Sequence, residues 1–392
     1  MEARARESHR GRGMSRPRLL IASFSPLAGD ARVLKQIERF RDEYDLVTLG
    51  YGEAPLGVVE HLRVPDDAPA WRWPRAALIL RQYRRAYWGN PAVAAARSLL
   101  AEPRASIDLA LANDVDTVPL VMRSVDPRRV HVDLHEYAPR QREELLRWRL
   151  FVAPFLRWIL RTFVTNAAST STVSAGLARA YRSEFGVSPT VVTNATPYRE
   201  AEPTPVGDPI RLVHSGAALP NRALELMIDA VEASTTSVTL DLYLTPNDPT
   251  YLEALRQRCA RSTRSRLHDP VPYADLVDTL AHHDVGVFVL PPTSFNHRWA
   301  LPNKLFDYVQ ARLGIIVGPS PEMSSIVDER GLGVVCGDFT AESLRRALEG
   351  LTPVRVVEMK AAAHRAAAPL SAALEVEKWA AALDVIRARG AQ

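Results

Sequence analysis

The sequence predicts an α/β protein with two doubly wound parallel sheets, one in each half of the chain. Three observations lead to this prediction. Short apolar runs recur along the chain, and most are separated by segments with the 3.6-residue spacing of a helix. A stretch at 196–209, with four prolines and no periodicity, interrupts the alternation. The alternation then begins again, and 392 residues are enough for two cores.

The first half opens on an apolar run at 18–24, and Asp30 is a suitable N-cap for the helical pattern that follows. In that pattern Val33, Leu34, Ile37 and Phe40 are spaced for one apolar face. The remaining predicted strands of this half are DLVTLGYG, VEHLRVP, IDLALAND, VHVDLHE, STSTVSA and TVVTNA. We assign 18–195 to an N-terminal Rossmann-like domain and 196–209 to a linker. Residues 1–17 are basic, lack the apolar core of a signal peptide, and are expected to be a disordered tail.

The second half repeats the strand–helix alternation and is assigned to a C-terminal Rossmann-like domain at 210–370. Its predicted strands are IRLVHSGA, TLDLYLTP, RSRLHDPV, VGVFVLPP, LGIIVG and GLGVVCGD. In doubly wound sheets, ligands bind at the carboxyl ends of the strands. Two such domains joined by a linker would place both sets of strand ends around one cleft, where we expect the chemistry.

Composition excludes several classes of function. The formal net charge is only +4, and no basic tract has the interleaved aromatic residues and glycines of a nucleic-acid module, so no nucleic-acid partner is expected. The two cysteines give no disulfide framework and indicate a reducing, cytoplasmic compartment. No uncharged apolar run reaches about 18 residues, so no membrane-spanning helix is predicted.

Two stretches, 71–88 and 145–163, mix tryptophan, phenylalanine and arginine. This composition suits loose, peripheral contact with a membrane or with a lipid-linked acceptor. It also suits helices that pack their aromatic residues on a sheet and extend their arginines into solvent. We favour the second interpretation.

The stretch LPNKLFDYVQA (301–311) predicts an anion-binding site. Pro302 is typical of a first helical turn, where free N–H groups and the helix dipole attract anions. Lys304 lies in that turn, where its charge opposes the dipole unless an anion is bound. Asp307 follows three residues later, on the same face of the helix. The alternative is a surface pair between Lys304 and Asp307.

A second stretch, IRLVHSGAALPNRALELMIDAV, ends a strand at Ser215-Gly216. Gly216 permits a ligand to approach the backbone closely. Arg222, placed at the start of the next helix, could bind a diphosphate through two N–H donors. The alternative for Arg222 is an ordinary solvated position on a helix.

Acidic residues and a histidine follow two strands of the first half. His135 and Glu136 end an apolar strand and should face the cleft, where a titratable pair is a catalytic candidate; the alternative is a capped strand end. Asp114 and Asp116 form an Asp-x-Asp pattern that could hold a divalent cation. Because Asp116 or Thr117 before a proline also begins a helix, we favour a helix start and expect no metal.

Taken together, these stretches resemble the retaining glycosyltransferases of the two-Rossmann-domain GT-B type, in the large family 4. The resemblance implies that Asp307 holds the ribose hydroxyls of a nucleotide-sugar donor. In the family, an acidic residue that meets the donor sugar stands eight positions earlier, where this chain has Trp299. The other donor-side positions that it implies are Gly29, Ser215, Gly216, Arg222, Val271, Pro302, Asn303 and Lys304.

The same resemblance implies catalytic roles for His135, Glu136, Arg222 and Lys304. It places Asp30, Asp114 and Ser174 on the acceptor side, although Ser174 is equally typical of a plain N-cap. It also implies that a last helix at 371–392 packs back on the N-terminal domain.

The resulting functional prediction is transfer of a sugar from a UDP- or GDP-linked donor to an acceptor hydroxyl, with retention and without a metal or other cofactor. The acceptor could be a saccharide, a lipid-linked molecule or a small molecule. Two alternatives stay open. A nucleotide-sugar epimerase of the same fold could use His135 and Glu136 as acid and base. A catalytically silent partner subunit of the same fold would explain the missing acidic residue at Trp299.

Overall fold

The first sheet has seven strands, all paired in parallel with their neighbours, in the order β3-β2-β1-β4-β5-β6-β7. The computed structural model describes residues 16–390, so the expected tail at 1–17 lies almost wholly outside the described range. The strands are β1 (Arg18–Pro26), β2 (Asp45–Tyr51), β3 (Glu60–Arg63), β4 (Leu109–Asn113), β5 (Val130–Leu134), β6 (Ser169–Thr172) and β7 (Thr190–Val191).

Helices cover both faces of this sheet. They are α1 (Ala31–Phe40), α2 (Arg75–Ile79), α3 (Tyr83–Trp88), α4 (Pro91–Ala101), α5 (Val118–Ser124), α6 (Ala153–Thr162) and α7 (Ala175–Phe185). A π-helical turn at Trp148–Val152 leads into α6, and short 3₁₀ turns occupy several of the connections.

The second sheet has six parallel strands in the order β10-β9-β8-β11-β12-β13. They are β8 (Ile210–Ala217), β9 (Val238–Thr245), β10 (Ser265–His268), β11 (Val285–Phe288), β12 (Gly314–Val317) and β13 (Gly333–Val335). The helices are α8 (Glu225–Ala233), α9 (Pro249–Cys259), α10 (Tyr273–Leu280), α11 (Phe295–Arg298), α12 (Asn303–Gln310), α13 (Pro321–Arg330), α14 (Ala341–Glu349), α15 (Pro353–Ala367) and α16 (Ala372–Gly390).

The predicted fold class is confirmed, and the residues explain it. Central strands such as β1 and β4 are continuous buried runs because helices cover both faces of a doubly wound sheet. Asp30 caps α1 by accepting hydrogen bonds from the backbone N–H groups of Arg32 and Val33, as expected. Val33 and Ile37 then point from α1 into the core.

The segment from 192 to 209 contains no helix or strand and runs along the second domain. The backbone N–H of Arg199 donates to Gln310 at 3.0 Å, and the carbonyl oxygen of Arg199 accepts from the buried Arg312. At the other end of the chain, α16 returns to the first domain. Its Trp379 and Leu383 pack in one buried cluster with β1 and α1. The chain therefore crosses between the two domains twice.

Direct hydrogen bonds hold the two domains against each other. The hydroxyl of Ser174 donates to the carbonyl oxygen of Trp299 at 2.9 Å. The backbone N–H of Tyr137 donates to the side chain of Asn296 at 2.9 Å. Glu322 accepts from the first N–H groups of α7, at 2.6 and 3.2 Å. These contacts fix the walls of the cleft between the domains.

Candidate active site

A cavity of about 720 Å³ lies between the domains, at the carboxyl ends of strands from both sheets. This is where doubly wound domains bind ligands. Its polar lining from the first domain includes Ser25, Asp30, Arg32, Lys35, His135, Glu136 and Asn194. The second domain contributes Arg222, Asn296, His297 and Asn303, together with the apolar side chains of Phe288, Leu290, Trp299 and Leu301.

Two cations converge on Gly216 at the end of β8. This glycine has φ of +145°, and a Cβ there would lie 2.3 Å from Nζ of Lys304 and 3.7 Å from a terminal nitrogen of Arg222. Within residues 16–390, neither cation has an acidic group within 4.0 Å. Burial and the neighbouring Arg222 lower the pKa of Lys304 to about 7. Two unpaired cations beside a glycine fit a ligand with more than one negative charge.

The local structure around these cations differs from the sequence prediction in two details. Pro302 occupies the N-cap position, so α12 begins at Asn303 and its first free N–H groups lie beside the cavity. Arg222 ends a 3₁₀ turn at Pro220–Arg222 and does not begin a helix. Ala223 adopts a left-handed conformation with φ of +47°, which delays the start of α8 to Glu225.

Asp307 does not form the surface pair that we considered as an alternative. Its side chain is 2% exposed, and no ion pair with Lys304 forms. The Oδ1 atom of Asp307 accepts a hydrogen bond from the hydroxyl of Thr196 at 2.5 Å. Burial raises the pKa of Asp307 to about 6, although Thr196 and Lys304 oppose the shift. Thr196 lies 111 residues away, so local sequence could not reveal this contact.

His135 lies between two carboxylates. Its Nδ1 atom is 3.3 Å from Asp114, and its Nε2 atom is 3.6 Å from Asp133. Burial opposes the protonated form, but Asp114 and Asp133 outweigh it and raise the pKa of His135 to about 9. At neutral pH the cavity wall therefore carries an imidazolium at this position.

This charge predicts a pH dependence of stability. The pKa of His135 is about 9 in the folded chain, above its ordinary value of 6.5. Its contribution should be complete below pH 6.5 and should be lost as the pH rises through 9. Urea unfolding across this range should show a loss of stability that is smaller in His135→Gln. Lys35, Lys304 and Asp116 also titrate here and the variant retains all three, so the difference reports His135 together with the carboxylates coupled to it. Parallel pH curves for the two proteins would contradict the assignment.

A buried ion pair that we did not single out from the sequence supports the part of the cavity wall that contains His135. Nε and Nη2 of Arg32 each lie 2.7 Å from an oxygen of Asp133, and both side chains are almost fully buried. Gln36 and Ser171 donate to the same carboxylate. The feature of the sequence that could have revealed this pair is an arginine next to Val33, on the face of α1 that packs against the sheet. Lys35 also lines the cavity, and burial together with Arg32 lowers its pKa to about 8.

Asp114 and Asp116 occupy the turn that precedes α5. Thr117 is the N-cap residue of α5, so the predicted helix start is found. Asp114 has φ of +62°, a conformation that aspartate tolerates better than most residues. Burial and Asp114 raise the pKa of Asp116 to about 7. Between residues 16 and 390, no three His, Cys, Asp or Glu side chains are grouped closely enough to hold a metal ion.

Glu136 lines the cavity beside His135. Burial and the charge of Asp114 raise its pKa above the ordinary value, while Arg222 across the cavity opposes this shift. The side-chain amide of Asn296 is 3.5 Å from the Glu136 carboxylate. The structure thus brings His135 and Glu136 together with Arg222, as the sequence predicted, and adds Asn296.

Comparisons with known proteins identify the architecture. No protein-family model and no curated protein matches the sequence. Among solved structures, HepE from Anabaena in complex with UDP-glucose has a TM-score of 0.70 at 14% identity, over 94% of this chain and 99% of that one. Sucrose-phosphate synthase from Thermosynechococcus elongatus has a TM-score of 0.69 at 12% identity, over 95% and 100%. Trehalose 6-phosphate synthase from Burkholderia multivorans has 0.68 at 12%, over 96% and 100%.

The chain has the GT-B fold. At these identities the likeness establishes the fold alone. It agrees with two Rossmann-like domains that face an interdomain cleft, as the sequence predicted.

The remaining predicted residues occupy different parts of the structure. Gly29 and Asp30 line the cavity, and Asp30 also accepts a hydrogen bond from Ser25 at 2.6 Å. Ser215 is buried at the end of β8. Val271 lies in the loop between β10 and α10. Ser174 precedes α7, but its buried hydroxyl is used by the carbonyl oxygen of Trp299 and does not cap the helix.

At the position where the resemblance predicts an acidic residue, this chain has Trp299, whose aromatic ring forms part of the cavity wall. Its indole packs against Gly176, where a Cβ would come within 2.0 Å of the ring. The guanidinium groups of Arg179 and Arg298 lie 5.1 and 5.6 Å from the centre of the ring. Only glycine at 176 leaves room for this contact between the domains.

Proposed function

We propose that the protein transfers a sugar from a nucleoside diphosphate sugar to an acceptor hydroxyl. The observation that carries the proposal is the pair of unpaired cations, Arg222 and Lys304, at Gly216 in the interdomain cleft. They lie at the amino end of α12, whose N–H groups and dipole also favour an anion. Both would stabilise the diphosphate as it leaves the sugar, and such preorganised charge is a large source of catalysis.

In the proposed reaction, the bond between the anomeric carbon and the diphosphate oxygen breaks, and the acceptor oxygen attacks that carbon from the same face. The departing phosphate oxygen takes the acceptor proton, so no separate base is needed. Arg222 and Lys304 supply the positive charge that a metal ion could otherwise provide. HepE was solved with UDP-glucose, which supports a UDP-linked sugar as the first donor to test.

The environment of His135 supports a positioning role. Both ring nitrogens face carboxylates, and the pKa of about 9 keeps the ring protonated at neutral pH. A protonated imidazole cannot act as a general base. Asp114 and Asp133 therefore hold the ring in place as a fixed positive charge in the cleft wall, and this state disfavours the proton abstraction that an epimerase would need from this residue.

The decisive experiment incubates the protein with UDP- and GDP-sugars, with and without a panel of acceptor alcohols, and measures the released nucleotide. Transfer predicts release that increases with acceptor and a product whose anomeric configuration, read by NMR, matches the donor. Conversion of the donor sugar without net release of nucleotide would instead identify an epimerase. Tight donor binding without either reaction would identify a silent subunit. Activity that EDTA abolishes would contradict the metal-free mechanism.

Asp307 provides a test of nucleotide recognition. If its carboxylate accepts hydrogen bonds from the ribose hydroxyls, Asp307→Asn should weaken binding of the nucleoside diphosphate about tenfold or more. Calorimetric titration with the nucleoside diphosphate and its 2′-deoxy form checks this. Wild type should bind the deoxy form more weakly, and Asp307→Asn should not discriminate between the two.

Thr196→Val is the matched control, because it removes the hydrogen bond to Asp307 and leaves the carboxylate in place. This variant should still discriminate between the two nucleotides. If wild type binds both nucleotides equally, the carboxylate does not contact the 2′-hydroxyl, and Asp307 serves only to hold Thr196.

A further inference from the structure

The two aromatic, arginine-rich stretches of the first domain pack against each other. The ring of Trp73 lies 4.8 Å from that of Phe155 in α6, and Tyr83 lies 5.9 Å from both Phe155 and Trp158. These rings join the core of the first domain. For these aromatic residues, packing against the domain core is therefore the correct interpretation.

Other side chains of the same stretches point outward. Five large apolar side chains are at least half exposed: Trp71 at 79%, Ile79 at 56%, Leu80 at 66%, Leu146 at 60% and Leu150 at 52%. Because α2 contacts the π-helical turn at 148–152, they belong to one region of the surface, which we call the apolar patch. Clustered exposed apolar side chains of this size commonly mark an interaction site.

Within the two stretches, the charge around the apolar patch is entirely positive, and the exposed Glu144 lies just outside the second stretch. Exposed arginines flank it on both stretches: Arg72, Arg75, Arg81, Arg84, Arg147 and Arg149. Neither 71–88 nor 145–163 contains an aspartate or a glutamate. The complement of such a surface is an apolar layer with negative groups at its edge.

We propose that the apolar patch and its arginines bind the face of a lipid bilayer that carries anionic phosphate headgroups. The apolar side chains would enter the interfacial region, and the arginines would remain at the level of the phosphates. Contact between two copies through this patch would bring like-charged arginines face to face, which is unfavourable. No helix among residues 16–390 is long and apolar enough to cross a membrane, so the proposed contact is peripheral. The proposal does not depend on the reaction proposed above.

In sequence, the apolar patch is close to residues that contact the mouth of the cleft. The segment that links β5 to the π-helical turn contains Glu143, which accepts a hydrogen bond from the backbone N–H of Phe295 at 2.6 Å. Arg140 lies over the ring of Phe295 at 4.4 Å. A bilayer bound at the apolar patch would therefore lie near the cavity that Asn296 and His297 line.

Co-sedimentation with phosphatidylcholine vesicles, with and without phosphatidylglycerol, tests the proposal on the full chain. Binding should require phosphatidylglycerol and should weaken as salt increases. The double variant Leu80→Ser, Leu146→Ser should bind at least about tenfold more weakly. Each leucine side chain gains free energy when it moves from water into the bilayer, and a serine does not. Arg75→Ala with Arg149→Ala should also weaken binding and should reduce its dependence on salt.

The matched control is Val354→Ser with Val357→Ser, because these valines of α15 are 70% and 54% exposed on the other domain. It should bind vesicles as wild type does, and circular dichroism should show all variants folded. Equal sedimentation of wild type and the double leucine variant would overturn the proposal. Binding that does not depend on the charge of the lipid, or that persists in high salt, would also overturn the proposal. Absence of vesicle binding together with a dimer that the leucine variant dissociates would assign the apolar patch to a second copy.

Discussion

Replacing Lys304 by alanine is expected to lower kcat by about 10²- to 10³-fold while the protein stays folded. Removing one preorganised charge contact from a developing negative charge typically has this effect. Lys304 has no acidic group within 4.0 Å among the described residues, and the buried Asp307, whose charge it favours from farther away, keeps its hydrogen bond from Thr196. Arg222→Ala should cause a loss of similar size, because Arg222 approaches the same glycine. Steady-state rates, with whichever donor the nucleotide-release assay identifies, measure both effects.

A pH titration adds a second readout for Lys304. Burial and Arg222 lower its pKa to about 7 in the free protein, and a bound diphosphate would favour the charged form. Nucleoside diphosphate binding should therefore take up a proton and weaken as the pH rises above 7, and Lys304→Ala should lose this dependence. Arg266→Ala is the control, because it removes an exposed positive charge in β10 that forms no ion pair. Wild-type turnover in the Lys304 and Arg222 variants would contradict the assignment of the diphosphate site to these residues.

Arg32→Ala is expected to lower the free energy of unfolding by about 3–5 kcal/mol, because it removes the two-point ion pair of the buried Asp133 and leaves only the more distant His135 to balance that charge. Burial opposes the charge of Asp133, yet Arg32 and His135 hold the pKa of this carboxylate well below its ordinary value. The guanidinium also lies 4.7 Å from the ring centre of Trp379, so the variant loosens α16 as well. Urea unfolding at neutral pH measures the change.

Arg128→Ala is the control for this prediction. Arg128 pairs with Asp126 on the surface and is 88% exposed, so its loss should leave the free energy of unfolding almost unchanged. A change of that small size in Arg32→Ala would show that the buried pair contributes nothing beyond an exposed one. Loss of activity in Arg32→Ala without loss of stability would instead make Arg32 a ligand-binding residue.

The fold was predictable because its signals are local. Strands buried on both faces must be apolar along their whole length, as Leu19 to Ala22 are in β1. Proline-rich sequence from 196 to 209 gives neither helical nor strand periodicity, and the structure has neither there. The anion-site motif at Lys304 was also local, because a basic residue in the first turn of a helix is already unfavourable without a ligand.

The sequence by itself therefore determined the two doubly wound sheets, and it predicted that His135, Glu136, Arg222 and Lys304 would approach one cleft. Only the tertiary structure decided which partners these groups meet. Thr196 reaches Asp307 across 111 positions, and Arg32 reaches Asp133 across 101. Packing also decided that Trp73 is part of the domain core while Leu80 is exposed. Periodicity reports which face of an element is apolar, whereas a partner on another element depends on how the elements pack, which no local spacing records.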